Sequence, residues 1–314
     1  MAAIIDKNSA VGFGIDIGGS HISCVAIGCD GRILKKNTVK VSDRNPSAIT
    51  RLLAECCKPV LEGYKVHCIG IGVPGNVDPI AGTTRYLPNF GWLEPIPLGS
   101  LLKEQLGLPD AKIRMRNDGR CAALAESRFG AGRGAKSFSM LTLGTGIGGA
   151  LIIDGRLFDG CSFDAGDFGH HVIRSGREAI DCVCGKSGCF EAHCSADGML
   201  RMYGLNGGCA LGCEDVIFTY KIGDEIGVRT FDRYIDDLST GLANLVTFYN
   251  PDVIALGGGL GQADELYEHI QELVDRKTLP ATRGKVRIVK SMVGPDAGAI
   301  GAALLSLEDA EGEY

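Results

Sequence analysis

Asp16, Gly18, Gly19 and Ser20 crowd a turn between two apolar stretches in FGIDIGGSHISCVAIGCDGRIL, residues 13–34. A related turn, Gly144-Thr145-Gly146, lies in MLTLGTGIGGALIIDGRLF, residues 140–158, and each copy runs on into Asp-Gly-Arg, at 30–32 and 154–156. Glycines in such turns admit positive φ and let backbone N–H groups approach a ligand closely. Two turns facing each other across a cleft would present two sets of donors to one polyphosphate. Ser20 and the Thr145 hydroxyl add donors, and Asp16 can order Mg2+ through water. A third run, Gly257-Gly258-Gly259, follows an apolar strand, and there a nucleotide base or ribose can lie against bare backbone. One hairpin alone would be ordinary turn geometry. Two copies and the later glycine run predict an ATP-using enzyme with two related lobes.

Two further groups carry chemistry. Asn117-Asp118 lies at the end of a strand and the start of a helix, between the two hairpins in sequence. Asp118 suits a helix N-cap. It also suits the carboxylate that phosphoryl transfer needs beside an acceptor hydroxyl, to take the proton during in-line attack. The second group is the thiol motif C-x-C-x4-C of Cys182, Cys184 and Cys189, with Gly185 and Gly188 to turn the loop and adjacent His170 and His171 upstream. Three thiolates and one imidazole make a closed tetrahedral set suited to structural Zn2+, with the two histidines competing for the fourth place. A Cys182–Cys184 disulfide would be strained.

The elements that must position these groups follow from periodicity. Three consecutive strands are predicted over 12–40 and helical spacing over 46–62, from Ile49, Leu52, Leu53, Cys56 and Val60. A strand follows at 68–74 and a turn-rich stretch with small strands at 75–100. A helix at 98–106 and a strand at 112–116 complete a β-β-β-α-β-α-β half. In the second half, helices are expected at 119–129, 196–203, 212–222 and 225–249, a cysteine-rich loop at 181–194 and a strand at 253–256. A helix is expected to start after Gly259, and DAGAIGAALLSL, residues 296–307, closes the chain as a largely apolar helix. Strands alternating with helices give an α/β class. The repeated hairpin half argues for duplicated lobes rather than a simple dinucleotide-binding sheet.

The 314 residues are ample for two domains with cores. A net charge of −6, with no basic run, argues against nucleic-acid binding. The uncharged glycine-broken stretch 138–153 is too short to span a bilayer. Thirteen cysteines, an odd number scattered through apolar segments without a secretion signal, point to a reducing cytoplasm.

In order, FGIDIGGS, GIGVPGNVD, LPNFGW, RNDGRCAALAE, LTLGTGIGG, AGDFGH, CVCGKSGCFE and NPDVIALGGGL resemble the ROK branch (repressors, open reading frames and kinases) of the superfamily that includes actin and hexokinase. The resemblance covers nearly the whole chain. It implies a two-lobed, ribonuclease H-like fold with a duplicated β-β-β-α-β-α core and a zinc loop. Residues 1–117 with the helix 297–314 would form the small lobe, and 118–296 the large one. It implies a glucokinase-like homodimer that transfers phosphate from Mg-ATP to the 6-hydroxyl of a hexose, with mannose, allose, fructose and N-acetylhexosamines as alternatives to glucose.

The same resemblance assigns residues. Asp118 is the general base. Asn117, Asp167, His170 and Glu191 are sugar ligands, with Asn89 at the pocket border. Asp16, Gly18, Gly19, Ser20, Gly144, Thr145, Gly146, Gly257 and Gly258 serve ATP. The histidine directly after glycine, His170, joins Cys182, Cys184 and Cys189 on zinc. Asp167 stands where Glu is usual, one methylene shorter, and Gly119-Arg120 replaces small or amide residues. A DNA-binding repressor is disfavoured by the dozen residues ahead of the first hairpin, and a silent sugar-binding relative by the intact Asp16 and Asp118.

Overall fold

The computed structural model describes residues 11–87 and 90–308. It divides into two compact units. The first takes in the described residues up to Phe129, then Asp159–Asp164 and the residues from Val293 on; the second holds Gly130–Phe158 and Ala165–Met292.

The sheet of the first unit is built from β1 (Val11–Ile17), β2 (His21–Gly28), β3 (Ile33–Lys40), β4 (Cys68–Val73) and β7 (Lys112–Asn117). Their order is β3-β2-β1-β4-β7, with β2 antiparallel to its neighbours and β1, β4 and β7 parallel. β4 is buried throughout, as a central strand covered on both faces must be. β3 alternates and carries Lys35, Lys36 and Lys40 along an edge. α1 (Pro46–Leu61) starts on Asn45, whose side chain accepts from the Ala48 N–H at 2.9 Å, with proline in the first turn. α2 (Leu98–Leu106) stops at Gly107, which takes the left-handed conformation. A small hairpin of β5 (Asn76–Asp78) and β6 (Thr83–Tyr86) fills the turn-rich stretch. α3 (Asp118–Phe129) follows β7 directly.

The second unit repeats the plan. β8 (Ser137–Leu143), β9 (Ile147–Ile153), β10 (Arg156–Leu157), β11 (Val253–Gly257) and β12 (Arg287–Lys290) stack in the order β10-β9-β8-β11-β12. Its helices are α4 (Phe190–Cys194), α5 (Ala196–Leu205), α6 (Cys213–Lys221), α7 (Glu225–Tyr249) and α8 (Ile270–Lys277). α7 spans the 25 residues expected of it, from an Asp224 cap that accepts from the Ile226 and Gly227 N–H groups to Asn250 at φ 45°. This is the duplicated α/β architecture that the hairpin repeat implied.

Several expectations need correcting. The units divide after Phe129 rather than between 117 and 118, because α3 packs along the closing helix α9 (Ala297–Glu308) and stays with the first sheet. The helix expected after Gly259 is two short 3-10 turns, Leu260–Gln262 and Asp264–Glu268, separated by extended backbone at Ala263; α8 begins only at Ile270. The end of the cysteine-rich loop is helical, as α4, and β12 was not anticipated. Among the described residues no helix is long and apolar enough to cross a membrane.

α9 is the tightest contact of the first unit. It lies on β1 and β4 so closely that a Cβ at Gly14 would fall 2.1 Å from the Ala299 carbonyl oxygen, and one at Gly70 1.7 Å from that of Ala302. The Phe13 N–H donates to Ser306 Oγ at 2.8 Å, pinning the far end of the helix. Backbone lies against backbone there, so neither partner can yield to an added methyl. Gly70→Ala is therefore expected to destabilise the protein by roughly 2–4 kcal/mol, the upper range for overpacking. A urea titration checks this: the midpoint should drop with an unchanged slope.

Candidate active site and metal centre

In the first unit the strand register sets Asp16 beside Gly72 on β4, and pairs Val73 with Asn117 on β7. Gly72 leaves the space between the two acidic residues open. A Cβ there would lie 3.3 Å from Asp16 Oδ1 and 3.5 Å from Asp118 Cα. The cap of α3 falls to Asn117 rather than Asp118: its Oδ1 accepts from the Arg120 N–H at 3.3 Å, and its Nδ2 reaches toward the Val73 and Gly75 carbonyls. Asp118 Oδ1 accepts from the neighbouring Gly119 N–H, at 2.8 Å.

The electrostatics of the pair are unusual. Burial pushes the Asp118 carboxyl above the ordinary carboxylate range, against the hydrogen bonds from Gly119 and Asn117 that pull it down. Asp16 is pushed up to about 7, first by burial and then by the charges of Asp118 and Asp296. Asp296 itself pairs with Lys36 at 2.5 Å. Arg116 and Arg120, the residue noted as a departure, both bond Asp159, at 2.9 and 3.2 Å. In the hairpin above, the Gly18 N–H donates to the His21 carbonyl at 2.9 Å and Arg44 holds the Gly19 carbonyl at 3.0 Å; Gly19 and Ser20 are exposed.

In the second unit the hairpin Gly144-Thr145-Gly146 closes with a Gly144 N–H bond to the Gly146 carbonyl at 3.0 Å, and Thr145 is exposed at its tip. Gly258, at φ 77°, packs on the same hairpin: a Cβ there would meet the Leu143 carbonyl at 2.4 Å. Gly257 pairs with Thr142 in the sheet, so the third glycine run and the hairpin share one edge. Glu191, on α4, accepts from the Ile147 N–H through Oε2 at 2.8 Å. Its Oε1 lies 4.0 Å from His170 Nδ1 and 3.9 Å from Cys182 Sγ. Gly146 makes room for this carboxylate, since a Cβ there would be 2.5 Å from Oε2. The turn Phe168–His170 rests on the strand beside it, with Gly169 against the Ile147 carbonyl. Asp167, just before that turn, is exposed. Asn89 lies outside the described residues.

The donor atoms of His170, Cys182, Cys184 and Cys189 all lie within 4.8 Å of one another. His170 Nδ1 is 3.6 Å from Cys182 Sγ, and Cys184 Sγ is 3.6 Å from Cys189 Sγ. Those spacings match the edges of a tetrahedron whose metal–sulfur bonds are about 2.3 Å and metal–nitrogen bonds about 2.0–2.1 Å. The loop is shaped locally. Gly185 turns at φ 85°, Ser187 Oγ bonds Asp181 at 2.6 Å, and Val172 bridges to Cys189. Burial pushes the Cys182 and Cys189 thiols up, Cys189 to about 12, whereas the Lys186 N–H draws Cys184 down. A soft divalent cation would resolve that conflict by holding all three as thiolates. His171 is not part of the cluster. Its Nδ1 meets the Phe168 carbonyl at 2.6 Å, and its ring packs on Phe190.

Sequence reasoning missed the brace beneath this loop. Asp237, fully buried on α7, bonds Arg174 Nε at 2.6 Å and Arg233 Nε at 3.3 Å, and lies 3.6 Å from His193 Nδ1. Burial raises its carboxyl, but the bonds from His193 and Arg174 outweigh that and hold it low. The only advance signal was an acidic pair, Asp236-Asp237, inside an otherwise amphipathic helix.

A ROK-family model matches residues 12–309, nearly all of the described chain. The chain belongs to the ROK family. Among ROK relatives, the glucokinase of Thermotoga maritima is 32% identical over 311 residues, covering 94% of this chain and 96% of that protein. The N-acetyl-D-glucosamine kinase of Pectobacterium carotovorum is 30% identical, covering 95% and 99%. Of solved structures, the ROK hexokinase of Thermus thermophilus superposes with a TM-score of 0.86 at 27% identity, covering 97% of this chain and all of that one. A ROK glucokinase of Streptomyces griseus, crystallised with glucose and AMPPNP, gives 0.76 at 29% identity, covering 95% and 100%.

The raised carboxyl of Asp16 has a consequence for stability in this ROK protein. The folded state holds the proton up to about pH 7, whereas an ordinary aspartate releases it near 3.8. Its favourable contribution is full below 3.8, is lost as the pH rises towards 7, and is absent above. Asp16→Asn carries no charge, so the variant should gain on wild type by on the order of 2–4 kcal/mol between pH 4 and pH 8. Urea midpoints of both proteins at the two pH values measure this; an unchanged difference would show that Asp16 is well solvated.

Proposed function

We propose that this ROK-family chain is an ATP-dependent hexose kinase that phosphorylates the 6-hydroxyl of its sugar, with glucose as the favoured acceptor. The observation that carries the reading is Asp118, a part-buried carboxylate held at the start of α3, with Oδ1 bonded to the adjacent Gly119 N–H. A carboxyl raised by burial is a stronger base than an exposed one, which suits removal of a proton from an attacking hydroxyl. Full-length similarity to glucokinases and to N-acetyl-D-glucosamine kinases supports the same reaction class.

On this reading the 6-oxygen attacks the γ-phosphorus in line, the bond to the β-bridging oxygen breaks, and Asp118 takes the hydroxyl proton. Asp16 orders the Mg2+ that accompanies ATP, and Gly18, Gly19 and Ser20 with Gly144, Thr145 and Gly146 hold phosphate oxygens. Gly257 and Gly258 receive the nucleoside. Asn117, Asp167, His170 and Glu191 orient the sugar, with Asn89 at its border. With Nδ1 turned to the thiols, the other ring nitrogen of His170 is left for a sugar hydroxyl. His170, Cys182, Cys184 and Cys189 would hold Zn2+, whose contribution is to cross-link the loop that carries Glu191. The thirteen cysteines, none of them in a disulfide among the described residues, suit a reducing cytoplasm, and the family resemblance suggests a homodimer.

A second acceptor is favoured by a specific observation, the N-acetyl-D-glucosamine kinases among the relatives at 30% identity. ADP release with Mg-ATP across glucose, mannose, allose, fructose and N-acetylhexosamines separates them. Glucose is expected to give the highest kcat/KM. Asp118→Asn should lower kcat by about 10²–10⁴-fold while sugar affinity stays within about threefold. A variant that keeps wild-type kcat would remove Asp118 from the chemistry.

A further inference from the structure

The Asp16 carboxylate has a second neighbour that the reading above leaves unused. A Cβ built on Gly298, in the first turn of α9, would fall 2.8 Å from Asp16 Cγ, 2.8 Å from Oδ2 and 2.9 Å from Oδ1. These are its three nearest atoms, all within one carboxyl group, and all well inside the 3.5–4.0 Å (about) of ordinary carbon contact. On the β4 side, Gly72 leaves the same carboxyl only 3.3 Å from where its own Cβ would stand. Asp16 therefore occupies a slot walled by two glycines.

α9 cannot shift to widen that slot. Its Ala299 and Ala302 carbonyls press on Gly14 and Gly70, and Gly301 lies so close to α3 that a Cβ would fall 1.6 Å from the Cys121 carbonyl oxygen. Ser306 ties its other end to Phe13. At these glycines the opposing atoms are backbone, and a side chain would have to move strands or helices. At Gly298 the opposing atoms are the free end of one side chain. A methyl there turns the carboxylate and leaves the fold alone.

We infer that Gly298 is a positioning residue for the phosphoryl-transfer site: its bare Cα, fixed by the packing of α9, sets the direction in which the Asp16 carboxylate points toward the metal of the incoming Mg-ATP. The inference rests on the proposed role of Asp16, and it adds a residue remote in sequence from the phosphate turns. It also gives α9 a task beyond closing the core. The helix that packs on α3, which begins with Asp118, is the one whose first turn confines Asp16.

The test is ATP affinity with and without Mg2+, by calorimetric titration of the full chain, for wild type, Gly298→Ala, Asp16→Asn and the double variant. Wild type should bind ATP more tightly with Mg2+. Gly298→Ala should lose roughly three- to tenfold of that gain, the size of one misdirected charge-assisted hydrogen bond. Its sugar affinity and urea midpoint should stay at wild-type values. Because the effect runs through Asp16, the double variant should differ from Asp16→Asn by less than about twofold. Gly72→Ala, which approaches the same carboxylate from β4, should act in the same direction and more weakly.

If Asp16→Asn lowers the Mg2+ gain and Gly298→Ala does not, the positioning role falls while the reading of Asp16 stands. If Asp16→Asn leaves the gain intact, that reading falls and the positioning role with it. A Gly298→Ala chain that does not fold, or a double variant whose losses add, would make Gly298 a packing residue and overturn the inference.

Discussion

Asp16 near the end of β1 and Asp118 just beyond β7 put two like charges on either side of β4, both largely removed from water, and the first unit is arranged around the cost of doing so. Burial raises both carboxyls, and the charges of Asp118 and Asp296 help to push Asp16 up to about 7. Among the described residues neither has an ion-pair partner. The cations nearby are committed elsewhere, Lys36 to Asp296 and Arg116 and Arg120 to Asp159. Unpaired carboxylates in such a place are destabilising, and the close packing of α9 on β1, β4 and α3 offsets them. A structure that holds that arrangement gains only when another cation or a proton arrives, which is what Mg-ATP and an acceptor hydroxyl bring.

The second unit solves a related problem by sharing. Glu191 is fixed at one oxygen by the Ile147 N–H of the glycine hairpin and faces the thiol–imidazole cluster with the other. Hairpin and cysteine-rich loop are thus joined through one carboxylate. Beneath them Asp237 gathers Arg174, Arg233 and His193 into a buried network, and it is held ionised by those partners. Buried ion pairs of this kind contribute little net stability, because desolvation consumes the Coulombic gain. Their effect here is geometric, since Arg174 flanks the loop that bears the cysteines and His193 lies on α4 with Glu191.

Much of this was legible in the sequence where a local pattern has a single physical meaning. The glycine hairpins and the helices α1, α2 and α7 fall close to where turn chemistry and periodicity place them. The thiol spacing likewise anticipated a cluster, and the geometry separates His170 from His171. What stayed hidden depends on contacts remote in sequence. Around β12 lies a short run of β-branched residues, Val286, Ile288 and Val289, that is too brief to stand out by itself, and its pairing with β11 makes it a strand. α4 is too short to show a period and forms because Glu191 and His193 are both held. The attachment of α3 to the first unit, and the slot that Gly72 and Gly298 make for Asp16, arise from residues far apart in the sequence. A glycine in an apolar helix gives no sign of what it makes room for.

The claim on which the account turns is that the phosphoryl group goes to a sugar oxygen rather than to water. Phosphorus NMR of the protein with Mg-ATP and glucose follows donor and product together. The expected product is a sugar phosphomonoester on the 6-oxygen, formed one for one with ADP. Inorganic phosphate as the product, or ATP left unconsumed across the hexoses, would contradict it.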